Sequence, residues 1–123
     1  MSSRPEQLRD RTKAFALRII RLYRSMPYRT DTQVLGKQLL RCGTSVAANY
    51  RAVCRARSKP EFIARIGIVA EEADESVLWL ELLNESGITN PELTKDLLKE
   101  ARELAAILTA SQQTAKKGSL ARF

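Results

Sequence analysis

The chain has 123 residues, enough for one domain around a single hydrophobic core, and 44% apolar with 28% charged residues excludes wholesale disorder. Its 21 Lys and Arg outnumber 14 Asp and Glu, for a net charge of +7, and it has no histidine. That absence removes the commonest general acid–base group, the commonest metal ligand and the Glu-x-x-His pairs of di-iron bundles.

The start, MSSRPEQLRDRTK, has no apolar stretch after its charges, so no secretory signal is read there. Nor does any apolar run approach the roughly 18 residues of a membrane span. The expectation is a cytoplasmic protein with no membrane partner. Five glycines and four prolines are too few for the many turns of an all-β fold.

From Pro5 to about Met26, Leu8, Thr12, Phe15, Ile19, Leu22 and Met26 recur at steps of four and three, the spacing of one helix face. Arg9, Arg11, Lys13, Arg18, Arg21 and Arg24 occupy the rest of the circumference, and Pro27 ends the helix. A second helix is expected over 31–57, capped by Thr30 or Asp31, with Leu35, Leu39, Cys42, Val46, Asn49 and Val53 inward. Gly43 costs such a helix about 1 kcal/mol relative to alanine, which close approach of a neighbouring helix would explain. Ser58-Lys59-Pro60-Glu61 has the form of a capping box and opens a third helix over 59–86. Its seam is Phe62, Ile66, Val69, Ala73, Ser76, Leu80 and Leu83, and Ser86-Gly87 stops it. A fourth helix is expected over 91–111, with Thr94, Leu97, Ala101, Leu104, Leu108 and Ser111 inward. Residues 112–123 read as a flexible basic tail. Short loops between helices of similar length call for an all-α, antiparallel up-down-up-down four-helix bundle spanning 1–111.

Charge is unevenly placed. Residues 1–60 hold 14 basic and 3 acidic side chains, +11, whereas residues 61–123 hold 7 and 11, −4. At about 100° per residue, Lys37, Arg41, Arg51, Arg55 and Lys59 form one stripe opposite the apolar seam, provided the second helix runs straight to its end. With Arg57 they are the candidate nucleic-acid-binding residues, since each Lys or Arg can displace counterions from a phosphate backbone. The competing reading is a solvated face, or a basic half that neutralises the acidic half within one chain. Tyr50 lies on the seam side and offers no exposed stacking platform.

Cys42 and Cys54 stand about 18 Å apart along one helix, beyond disulfide reach, and are read as small core residues. Ser45 and Asn49 are assigned to the structural seam, where an amide hydrogen-bonds across the core and fixes register. The run Glu71-Glu72-Ala73-Asp74-Glu75 points its carboxylates in different directions, so it reads as a solvated or salt-bridging face rather than a metal site. On the same helix Ile68, Leu78, Trp79 and Leu82 turn away from the seam. An exposed tryptophan with three aliphatics marks them as a candidate oligomer interface. If the acidic helix of one copy meets the basic helices of the next, the contact is heterologous and closes into a ring. No catalytic residue, metal site or cofactor is assigned, and the chain is not expected to be an enzyme.

The stretch LGKQLLRCGTSVAANYRAVCRARSKPEFIARIGIVAEEADESVLWLELL resembles the four-helix-bundle family of proteins encoded in intervening sequences of large-subunit ribosomal RNA genes. Gln38, Arg41, Ser45, Val46, Ala48 and Asn49 fit its Q-x-x-R-x-x-x-S-x-x-x-N core, with a looser match at Arg57, Ser58, Lys59 and Phe62. The likeness covers roughly residues 8 to 110. Where many members continue into Ile-x-Glu-Gly, this chain has Tyr50, Arg51, Ala52 and Val53 after Asn49. The resemblance implies an up-down bundle assembled as a homopentameric ring. A related branch, the accessory variability proteins of diversity-generating retroelements, is a basic pentamer that binds a reverse transcriptase and nucleic acid. The implied partners are therefore other copies of the chain, RNA or DNA, and a reverse transcriptase or other protein. A protein-interaction scaffold without a nucleic-acid role is the alternative.

Overall fold

Ser3 starts the first helix: its hydroxyl accepts from the Glu6 N–H at 3.3 Å, with Pro5 in the first turn where its missing donor costs nothing. The structure, a computed structural model, describes residues 3–120, with side chains described as far as Gly118. Helix α1, Arg4–Ser25, stops at Met26, which takes an extended backbone as residues before proline do.

Helix α2, Thr30–Cys54, follows with Arg29 in the cap position and no side-chain cap bond. The expected cap at Thr30 or Asp31 is not made, because the helix starts at Thr30, one residue too early for Thr30 and two too early for Asp31 to act as one. The Asp31 carboxylate instead accepts from the Thr32 N–H at 2.8 Å and lies 3.6 Å from Arg29 Nε. Its end is also earlier than expected, at Cys54 rather than 57. Ser58 must leave helical geometry to cap the next helix, and its backbone is extended, so residues 55–58 form the connector.

Helix α3, Lys59–Glu85, opens on that cap, with Ser58 Oγ accepting from the Glu61 N–H at 3.2 Å. The Glu61 carboxylate reaches back to the Arg57 N–H at 2.9 Å rather than to that of Ser58. This bond, with the Arg65 guanidinium second, holds the Glu61 carboxyl below its usual range. Gly87, at φ +83°, makes the stop.

Helix α4, Pro91–Leu120, begins where Asn90 Oδ1 accepts from the Glu92 N–H at 3.0 Å. Asn84 Oδ1 ties the loop to it by accepting from the hydroxyls of Thr89 (2.5 Å) and Thr94 (2.8 Å). The expected break after 111 does not occur, and the helix continues unbroken through Leu120. The antiparallel pairing with α3 explains why. Glu81 faces Arg102, the Ile63 carbonyl accepts from Gln112 Nε2 at 3.2 Å, and Lys59 lies against Gly118. Each step back along α3 needs a step forward along α4, so covering the start of α3 requires α4 to run this far. Residues 121–123 of the expected tail lie outside the described residues.

The four helices form the expected antiparallel bundle, α1 against α2, α2 against α3 and α3 against α4, with little direct contact between α1 and α4. Phe15 and Ile19 of α1, Leu39 and Val46 of α2, Ile66 and Leu80 of α3, and Leu104 and Leu108 of α4 are almost fully buried. Gly36 and Gly43 let α1 settle directly on the α2 backbone. A Cβ at Gly43 would stand 2.9 Å from Ile19 Cγ1, and one at Gly36 3.0 Å from the Tyr23 ring. The α1/α4 seam is closed at its middle by Arg11, whose Nε and Nη2 donate to Glu100 at 2.8 and 2.7 Å, with Nη2 also 2.7 Å from Glu103. Ser76 Oγ, buried at the α2/α3 seam, bonds the Glu72 carbonyl at 2.9 Å and lies 3.2 Å from Cys42 Sγ, so the buried hydroxyl is satisfied. Burial raises the Cys42 thiol above its ordinary value.

Candidate nucleic-acid interface

The expected cationic stripe separates into distinct environments. Lys37 is exposed on the outer face of α2. Arg41, one turn on, leans toward α3 and its Nη2 donates to Glu75 Oε1 at 2.8 Å, so its charge is already matched within the chain. Arg57 belongs to the connector, where its backbone serves the α3 cap. Lys59 is the first residue of α3 and turns toward the C-terminal part of α4. A single stripe requires a helix running straight past Cys54, and Arg57 and Lys59 leave it because α2 ends there.

Arg51 and Arg55 lean the other way, toward α1. With Arg9 and Lys13 they line a groove between the first turns of α1 and the end of α2, together with Asp10 and Cys54. All four cations are exposed, and none has an ion-pair partner among the described residues, in contrast to Arg11, Arg41 and Arg102. Four positive charges against one carboxylate is a local excess that solvent alone compensates. The basic face of the first helix belongs to the expected nucleic-acid surface, but Arg9 and Lys13 are not among the six candidate residues. The signal that could have found them is their four-residue spacing on the flank of α1 adjoining its seam, beside α2. Cys54 was expected in the core and is instead exposed in this groove, since α2 ends at that residue. Tyr50 is buried, as expected, and desolvation pushes its phenol up to about 12, so it remains neutral and unavailable for stacking.

Asn49 is half-buried at the rim of the α2/α3 seam rather than within the core. Its Nδ2 donates to Glu72 Oε1 at 2.5 Å, so it pins α2 to α3 through a charge-assisted bond at the edge of the packing. Ser45 is also half-buried on this flank. The acidic run disperses, with Glu72 taken by Asn49, Glu75 by Arg41, and Glu71 and Asp74 in solvent. Among the described residues no group of three or more Cys, Asp and Glu is placed to hold a metal ion.

On the outer face of α3, Ile68, Leu78 and Leu82 are 50, 47 and 39% exposed. Trp79 differs from expectation. It is half-buried against the core, and its indole Nε1 lies 3.3 Å from Glu75 Oε1, because its position on the helix faces the α2 flank rather than open solvent.

Residues 7–110 match the family of 23S rRNA-intervening sequence proteins. The chain belongs to that family. Its bundle is also similar to the crystal structure of a protein of unknown function from the S23 ribosomal protein family of Bacteroides thetaiotaomicron. The two share 31% identity at a TM-score of 0.82, covering 90% of this chain and 99% of the other. No curated protein matches. The intervening-sequence family is thus established by sequence and the bundle by structure, while the basic groove is read from this chain's own side chains. No helix among the described residues is long and apolar enough to cross a membrane.

Proposed function

We propose that this intervening-sequence protein is a non-enzymatic bundle that binds RNA or another nucleic acid through the α1/α2 groove of Arg9, Lys13, Arg51 and Arg55. One observation carries the reading. Arg11, Arg41 and Arg102 each reach a carboxylate of a neighbouring helix, whereas these four cations line one groove without an ionic partner among the described residues. Internal neutralisation of the basic half by the acidic half therefore leaves this surplus untouched. The groove has no exposed aromatic platform, so the contact is with backbone phosphates rather than with base identity. The proposed context is a ribonucleoprotein or a complex with a reverse transcriptase.

The test is affinity for a short RNA measured against salt. Four phosphate contacts give a slope in log K against log salt of about −3 to −4, and a slope near zero overturns the reading.

A second reading, a self-associating scaffold, is favoured by the outer face of α3. Ile68, Leu78 and Leu82 alternate there with the solvent-facing Glu71 and Asp74, a surface that complements the basic groove of another copy. Light scattering at micromolar concentration is expected to report a closed oligomer, five copies if the family likeness extends that far, and a monomer overturns it. Purification without nuclease separates the readings. Copurifying material absorbing at 260 nm supports nucleic-acid binding, whereas clean protein whose oligomer dissociates in salt supports the scaffold.

A further inference from the structure

At the end of the bundle where α1 and α3 begin and α2 and α4 finish, the helices leave space between them. Because α1 and α4 meet only lightly, a groove of about 820 Å³ opens between them, floored by Leu8, Tyr50, Phe62 and Ile66. That volume lies within the range of small-molecule clefts. Two cations flank it, Arg4 from α1 and Lys59 from α3, and neither has an ion-pair partner among the described residues. Among the described residues no carboxylate lines it. The remaining polar groups of its wall are the Ser111 and Thr114 hydroxyls and the Tyr50 phenol.

From this charge pattern we infer that the groove is a binding site for a small amphipathic anion, a free monocarboxylate with an unbranched apolar tail. The tail would lie along Leu8, Phe62 and Ile66, and the carboxylate would sit between Arg4 and Lys59. An uncharged hydrocarbon would leave both cations unmatched, and a dicarboxylate with a charge at each end would place one of them against the apolar floor at a desolvation cost. The α1/α2 groove is lined by Arg9, Lys13, Arg51 and Arg55 without such a floor, so the two sites select different ligands.

The experiment is calorimetric titration of the full chain with decanoate, with decanol and acetate as probes of tail and charge alone. Decanoate is expected to bind at one site with a Kd below about 1 mM. Decanol and acetate are each expected to bind at least about tenfold more weakly. Ala115→Trp, which fills the groove from α4, should abolish binding, and Arg4→Glu with Lys59→Glu should weaken it at least about tenfold, with helicity followed by circular dichroism. If Ala115→Trp disturbs the fold, the charge-reversed pair at the rim decides alone. No decanoate binding at 1 mM, equal binding of decanol, or unchanged binding in the charge-reversed variant each overturns the site. Decanoate uptake by folded Ala115→Trp equal to that of the wild type would assign the signal to general surface adsorption and also overturns it.

Discussion

The variant Arg9→Glu, Lys13→Glu, Arg51→Glu, Arg55→Glu is expected to lose nucleic-acid binding while keeping its fold. At slopes of about 0.7 to 0.9 per phosphate contact, four contacts cost the wild type about 50- to 150-fold in affinity between 50 and 200 mM salt. The variant should bind at least about 100-fold more weakly at 50 mM and change less than about twofold over that range. All four side chains are exposed and unpaired, so each reversal should cost stability within about 0.5 kcal/mol. The control is Lys37→Glu with Arg41→Glu, on the same helix and of the same charge change in type. Arg41 is already held by Glu75, and Lys37 lies about 21 Å along the helix from Arg51, so this pair should move the slope by less than about one unit. An equal loss in log K per reversed charge in the two variants would mean that total charge, not the groove, governs binding.

Replacing Phe15 by alanine is the change expected to damage the fold most. Phe15 is 1% exposed and belongs to α1, the helix that leans on α2 and barely touches α4. A buried Phe→Ala truncation costs about 3–5 kcal/mol, against a total stability of about 5–15 kcal/mol for a domain. The obvious competitor for holding α1 is Arg11, with its bonds to Glu100 and Glu103. Those side chains are 34, 17 and 47% exposed, so water competes for the pair and its contribution is nearer about 1 kcal/mol. Urea unfolding of Phe15→Ala and Arg11→Met should therefore separate by more than about 2 kcal/mol, with Phe15→Ala the weaker. Similar midpoints would show that the ion pair, not apolar burial, secures α1.

Helical periodicity carried most of the architecture because the seam positions are apolar at nearly every step, from Leu8 through Leu108. Caps were legible where a side chain has one dominant use, as at Ser58 and Gly87, and less so at Thr30 and Asp31, where the helix began without one. The α4 extension escaped because Gln112, Thr114, Ala115 and Gly118 have little hydrophobic rhythm. What holds that segment is its place opposite the start of α3, a property of two helices that no single window records. The same limit applies to the groove. Arg41 and Arg51 share the polar half of the helical wheel, yet they lie about 80° apart, which sends one toward Glu75 and the other toward Arg9. Trp79 and Asn49 were displaced by the same effect, since each lies at a boundary angle where a partner helix decides between core and rim.

Gly36 and Gly43 bear on how tightly the groove can hold a ligand. With no Cβ to separate them, α1 and α2 touch backbone to side chain and have little room to slide, so Arg9 and Lys13 keep a fixed offset from Arg51 and Arg55. The frame that sets the spacing of the charges is built before any ligand arrives, and only the side-chain ends remain to be ordered on contact. A methyl group added at Gly43, about 12 Å along the helix from Arg51, would push against Ile19 and change that offset without altering a single charge. The spacing of the cations is thus written in the two positions that carry no side chain.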